Sequence, residues 1–148
     1  MGGELNLRDR TELAARLTQF VSKELEYVGN LRNQMTEDFV SFVRQVSDAT
    51  DESVKHAATR TMMISVQRND LAAQIDLHIL MVLNFSSDLL MNNKMPKTSD
   101  LDKLVQELIW TFTLGEFQDR FAHAFGYELD RRTRNEQAET TTDDIELF

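Results

Sequence analysis

The sequence contains no cysteine, a single proline and only five glycines among its 148 residues. Without cysteine there is no disulfide framework, no thiolate zinc site and no thiol nucleophile, so the predicted compartment is the reducing cytoplasm. The three histidines, His56, His78 and His123, lie far apart in the chain. We therefore predict that this chain holds no metal ion and no cofactor.

Positive charge is also scarce: 16 Lys and Arg side chains face 25 Asp and Glu side chains, for a net charge of -9. Because like charges repel, we expect neither nucleic acid nor an anionic membrane as a partner. The longest apolar stretch, 75–83, contains Asp76 and His78. It is far shorter than the roughly 20 apolar residues of a spanning helix, and the N-terminal residues lack the apolar run of a secretory signal.

With so few helix breakers and no sustained alternation, the sequence predicts an all-α protein. Helices are expected at about 9–47, 50–92 and 100–131, after a disordered segment at 1–8. Apolar residues in the first helix recur at spacings of three, four or seven, which is typical of one buried stripe. The predicted inner face of the second helix consists of Met62, Val66, Asn69, Ala73, Asp76, Leu80, Leu83 and Leu90. The predicted core stripe of the third helix consists of Trp110, Leu114, Phe117, Phe121 and Phe125.

Helices of this length are rods of about 45 to 60 Å, too slender to bury all their apolar side chains in a monomer. Residues 77–85 are apolar on nearly every side. We therefore expect an elongated helical hairpin that dimerisation completes as a four-helix bundle.

Beyond residue 131 the apolar side chains vanish until the last four residues. Residues 132–148 are predicted to form a flexible linker and a C-terminal docking peptide. Its acidic residues would speed encounter with a basic groove, and its terminal apolar residues would serve as anchors. The predicted partner-binding residues of this tail are Asp143, Asp144, Ile145, Leu147 and Phe148.

The tail resembles three kinds of known C-terminal peptide. Its Asp143-Asp144-Ile145 and final Phe148 resemble the acidic, Phe-ended peptide with which CheZ-family chemotaxis phosphatases dock on the response regulator CheY. Residues 144–148 also resemble the Gln-Leu-x-Leu-Phe motif of sliding-clamp ligands, although the Gln is missing. The ending of single-stranded DNA-binding proteins, Asp-Asp-Ile-Pro-Phe, is similar in part.

The segment Phe117-Gln118-Asp119 resembles the active segment of the CheZ family, with His123 at the position of the family's catalytic Gln. The resemblance implies a dimeric phosphatase of a CheY-like receiver, in which Asp119 pairs with the receiver's conserved lysine and His123 holds the water. Magnesium would belong to the receiver. At 100° per residue, Glu116 and Phe112 share the outward side of Asp119 and His123, so these residues and Gln118 are predicted to bind the partner.

Two alternatives remain open at this stage. The first is a non-enzymatic helical adaptor whose tail binds a hub such as the bacterial sliding clamp. The second is a protein that binds a phosphorylated receiver without phosphatase activity, since His123 has replaced the Gln. Asp119 and His123 could also be an ordinary exposed pair, which would add only a few tenths of a kcal/mol to the helix.

Overall fold

The computed structural model describes residues 6–91 and 100–129 of the chain. Of these residues 89% are helical and none is in a strand, which confirms the all-α prediction. The helices are α1 (Leu7–Asp48), α2 (Glu52–Met91), α3 (Leu101–Thr111) and α4 (Gly115–Ala124). The predicted tail at 132–148 and most of the predicted N-terminal segment lie outside the described residues. None of the four helices combines the length and apolar content needed to cross a bilayer.

Side-chain caps mark where three of the helices begin. The Asn6 side chain accepts the backbone N–H of Asp9 at 2.9 Å, so α1 begins two residues earlier than predicted. The Asp51 carboxylate accepts the N–H of Ser53, and this hydrogen bond lowers the pKa of Asp51. Asp100 caps α3 in the same way. Each cap satisfies a backbone donor that the first helical turn leaves without an internal partner.

α1 and α2 form a long antiparallel hairpin with a three-residue connection. At 1.5 Å per residue, α1 is about 63 Å long. Facing positions recur every seven residues, as in an antiparallel coiled coil. In α2 most of them are small, which lets the two backbones approach closely. The facing positions are Ala14, Val21, Val28, Met35 and Phe42 in α1 and Ala58, Ser65, Ala72, Ile79 and Ser86 in α2.

The predicted inner face of the second helix is wrong. Val66, Leu80, Leu83 and Leu90 of that set are 40 to 54% exposed. Two apolar stripes run along α2, and the stripe that faces α1 contains small Ala and Ser residues, whereas the predicted stripe contains the larger Leu and Val residues. Hydropathy therefore favoured the stripe that lies on the surface.

The predicted third helix is not continuous. It breaks at residues 112–114 into α3 and α4, and the chain leaves α4 through a turn at Gly126, where φ is +82°, a left-handed value that glycine adopts without strain. Phe117 and Phe121 are fully buried, as predicted, but Trp110 is 47% exposed because the break rotates α3 relative to α4.

The two short helices cover only one end of the hairpin. They pack on the first half of α1 and the second half of α2, where the core residues concentrate. Beyond Val28, α1 has no fully buried residue. The other end of the hairpin contains a polar layer in which the Asp38 carboxylate accepts hydrogen bonds from Ser65 at 3.1 Å and Arg68 at 2.7 Å.

Candidate functional site

α4 presents one polar face outward. Its inward face consists of Phe117, Gln118, Phe121 and Ala122, all buried. On the opposite side Glu116 and His123 are exposed and Asp119 is half-buried. Asp119 and His123 are one helical turn apart. Glu116 and His123 are exposed as expected, whereas Asp119 is partly covered. We call Glu116, Asp119 and His123 the α4 outer face.

Phe112 does not belong to this face, contrary to the prediction. It lies at the break between α3 and α4 and is only 4% exposed. Its ring packs edge-on against Phe117 and Phe121, at centroid distances of 4.9 Å. The prediction assumed an unbroken helix, in which Phe112 would lie one turn before Glu116.

Gln118 is also buried, with 4% exposure. Its side-chain Nε2 donates a hydrogen bond to the carbonyl oxygen of Ile109 at 3.0 Å, so it satisfies an acceptor at the end of α3. The side chain therefore holds α4 to α3 and is not available to a partner, contrary to its predicted partner-binding role.

His78 of α2 stabilises the break between α3 and α4 at residues 112–114. Its Nδ1 lies 2.7 Å from the carbonyl oxygen of Gln74, which assigns the proton to Nδ1. Its Nε2 accepts the backbone N–H groups of Thr113 at 3.1 Å and Leu114 at 3.3 Å. The imidazole thus satisfies two backbone donors of the segment that connects α3 to α4, directly before α4 begins. His78 is buried, with 5% exposure.

A buried ion pair anchors α4 to α1. The guanidinium of Arg120 binds Glu24 through both carboxylate oxygens, at 2.8 and 2.7 Å. The Glu24 side chain is only 5% exposed, and Arg120 stacks over the ring of Tyr27 at 4.7 Å. The hydrogen bond to Glu24 raises the pKa of Arg120. This bidentate geometry fixes the position and the rotation of α4 on α1.

A small cavity of about 110 Å³ lies between the start of α1, the start of α3 and the turn after α4. At its edge the Tyr127 hydroxyl donates a hydrogen bond to Asp102 at 2.8 Å. Burial and this hydrogen bond raise the pKa of Tyr127 to about 12. The cavity is large enough for a few water molecules only. Among residues 6–91 and 100–129, no group of three His, Asp or Glu side chains is arranged to hold a metal ion.

The five predicted tail residues, 143–145, 147 and 148, lie outside the described residues. Comparison of the chain with protein-family models, with curated proteins and with solved structures finds no match. For the predicted site, the structure shows the geometry of the α4 outer face and the contacts that hold α4 in place.

The anchoring residues were not predicted from the sequence. Glu24 carried a signal, because it interrupts the seven-residue series Leu17, Glu24, Leu31 with a carboxylate at a core position. Its partner Arg120 is 96 residues away. No local pattern connects two residues at that separation.

Proposed function

We propose that the protein binds a phosphorylated CheY-type receiver domain and promotes hydrolysis of its aspartyl phosphate, which would end a chemotaxis signal. The observation that carries the proposal is the exposed His123 one helical turn from the half-buried Asp119, on a short helix that is held in place by contacts with the other helices. The match of Phe117-Gln118-Asp119 to the CheZ family supports the same assignment.

Rigid placement of these two groups suits the chemistry. In aspartyl-phosphate hydrolysis a water oxygen attacks phosphorus, the bond from phosphorus to the aspartate oxygen breaks, and inorganic phosphate leaves. Little is required of an auxiliary protein beyond orienting the water and the receiver's groups, because the receiver's magnesium ion neutralises most of the developing charge. In this proposal Asp119 pairs with the receiver's lysine, and the imidazole of His123 orients the water by one hydrogen bond.

The contacts around α4 support such a role. Glu24 and His78 hold α4 from two different helices, and the side chain of Gln118 ties it to α3. Because three other helices hold α4, the positions of its side chains vary little with local motion. This matters for catalysis, since a misplacement of about 1 Å can lower a rate by on the order of 10²-fold.

A second candidate is a receiver-binding protein without phosphatase activity. The observation that favours it is His123 itself, which stands where the family has Gln. In that case the α4 outer face and the tail would sequester the phosphorylated receiver without changing its rate of decay.

Phosphate release from a receiver charged with acetyl phosphate separates the two candidates. We expect the wild-type chain to accelerate release, and Asp119→Ala to lower the maximal rate by about 10²-fold. His123→Gln should keep or raise the rate. Glu107→Ala, at an exposed acidic position of α3, is the matched control and should leave the rate unchanged. If neither the wild type nor His123→Gln exceeds the receiver's own decay, the phosphatase proposal is wrong.

The tail has a separate role in the proposal. Tethering raises the local concentration of receiver at the α4 outer face, so removal of 136–148 should raise the half-saturating receiver concentration far more than it lowers the maximal rate. An equal effect on both quantities would contradict the tether. Capture of the sliding clamp but not the receiver by the isolated tail peptide would favour the adaptor alternative.

We propose further that the protein is a homodimer in which two hairpins form a four-helix bundle. The support is the large apolar area that remains on the hairpin, including Phe39 at 50% and Leu80 at 54% exposure. Sedimentation of the full chain as a particle of twice 17.1 kDa is the expected result.

A further inference from the structure

The two flanks of the α1–α2 hairpin differ in what covers them. The residues that contact α4 and the segment before it include Phe20, directly before Val21, and His78, directly before Ile79. Glu24, three after Val21, lies on the same side of α1 and binds Arg120. Phe20 packs against Phe117 at 5.4 Å, and His78 packs against the same ring at 5.1 Å. This flank is therefore covered at one end of the hairpin.

The opposite flank is defined relative to the facing positions of α1 and α2 given above. It consists of the residues that come one and four positions after each of them in the sequence. Arg32, four after Val28, forms an ion pair with Asp76, four after Ala72. Because these two side chains meet, this flank of α1 and this flank of α2 lie on the same side of the hairpin. We call it the open flank; it extends over 15–46 of α1 and 59–90 of α2.

The open flank exposes apolar side chains on both helices. It includes seven large apolar side chains that are 40 to 54% exposed: Leu25, Phe39, Val43, Val66, Leu80, Leu83 and Leu90. Several large apolar side chains exposed on one side of a hairpin are typical of an interaction site. In α2 the open flank coincides with the stripe that hydropathy predicts to be buried.

The charge of the open flank indicates which kind of partner binds there. Of the twenty residues on the open flank only Arg32 and Asp76 are charged, and they pair with each other, whereas 28% of all residues in the chain are charged. A basic partner would find no excess of carboxylates here, and an anionic membrane would find no row of lysines or arginines. A second copy of the same neutral, apolar surface meets no repulsion, even though each chain carries a net charge of -9.

The area of the open flank also fits a second copy of the chain. Thirty-two residues of helix are about 48 Å long, and two helices side by side are about 18 Å wide, so the flank covers roughly 860 Å². A stable dimer of standard size buries about 800 Å² on each partner.

We infer that the open flank is the surface on which a second copy of this chain docks, so that two hairpins bury their open flanks against each other. This inference rests on the homodimer proposed above and assigns its interface. α3 and α4 then lie on the outside of the four-helix bundle, one pair on each hairpin.

The test is sedimentation velocity of the full chain over a range of concentrations. We expect wild type to dimerise with a dissociation constant of about 1 µM or below, and Leu80→Glu and Val66→Glu each to raise it by about 100-fold or more. The matched control is Leu77→Glu, because Leu77 is 62% exposed on the same helix but lies off the open flank. It should change the constant by less than about threefold. Far-UV circular dichroism of each variant checks that the helices remain.

The outcomes separate the interface from the homodimer and from the phosphatase proposal. A wild type that is monomeric up to about 100 µM overturns both the homodimer and the interface. A dimer that survives Leu80→Glu and Val66→Glu, or that Leu77→Glu weakens equally, overturns the interface alone. No receiver is present, so none of these results depends on phosphatase activity.

Discussion

The buried pair of Glu24 and Arg120 allows a sharp prediction about stability. Glu24 is 5% exposed and Arg120 is 31% exposed, and both oxygens of Glu24 are bound. Arg120→Met keeps the apolar stem of the side chain but leaves a buried carboxylate without its partner. Loss of one partner of a buried pair costs about 3–5 kcal/mol of unfolding free energy, and the lost stacking on Tyr27 adds about 0.5–1 kcal/mol.

Substitution of the other partner, Glu24, should lower the free energy of unfolding by less. In Glu24→Leu, Arg120 loses its partner but can reach water, and we expect a loss of about 1 kcal/mol. In the double variant two apolar side chains replace the pair, and such replacements are often neutral or stabilising, so stability should lie within about 1 kcal/mol of wild type. The two substitutions are therefore predicted to be strongly non-additive.

Urea denaturation followed by circular dichroism, at one fixed protein concentration, measures all four proteins of this cycle. Lys55→Met is the control, because Lys55 pairs with Glu52 on the surface, and it should change stability by less than about 0.5 kcal/mol. The reasoning is refuted if Arg120→Met costs less than about 1 kcal/mol, or if the two single changes add within about 0.5 kcal/mol.

Three further predictions concern the contacts around α4. Phe117→Ala should cost about 3–5 kcal/mol by urea denaturation, because the ring is fully buried; a loss under about 1 kcal/mol would contradict this. His78→Ala should speed hydrogen exchange of the Thr113 and Leu114 amides far more than that of amides in the middle of α1, since it removes their acceptor. The pKa of Tyr127 is about 12 in the folded protein and about 10 in an unfolded chain. The contribution of this protonated hydroxyl to the free energy of unfolding is therefore complete below pH 10 and is lost as pH rises through 12. Tyr127→Phe should therefore lose less stability than wild type across that range in alkaline denaturation, and an identical loss would refute the assignment.

The helical class and the two long helices could be predicted from the sequence, because both depend on local signals. Glycine and proline are scarce, and the caps lie close to the predicted ends. The stripe of Leu13, Leu17 and Phe20 is buried as its spacing predicts. In this half of α1 only one stripe is strongly apolar, so periodicity is sufficient to identify the inward face.

The break between α3 and α4 could not be predicted in this way. The break itself, residues 112–114, contains no proline or glycine, although Gly115 follows it directly, and the apolar spacing favours a continuous helix. The break is stabilised by His78, which is 35 residues from Thr113 and accepts N–H groups that a continuous helix would have bonded internally. The misplacement of Phe112 in the predicted site follows directly from this tertiary contact.

The orientation of α2 was missed for a different reason. Its facing residues Ala58, Ser65 and Ala72 contribute little hydropathy, but their small size is what permits close packing on α1. The larger residues of the open flank dominate the pattern. A helix whose most apolar stripe is exposed is uncommon in a protein that works as a monomer, because that stripe would promote association.

The two proposed surfaces are compatible because of where the break places α4. The open flank lies on the side of Arg32 and Asp76, whereas α4 is held by Phe20, Glu24 and His78 on the other side. Two hairpins that pair through their open flanks therefore leave both α4 outer faces exposed, and each dimer would offer two independent sites. Dimer-breaking changes such as Leu80→Glu should then lower stability without abolishing receiver binding. Complete loss of receiver binding in a folded monomeric variant would mean that the α4 outer face is incomplete without the second copy.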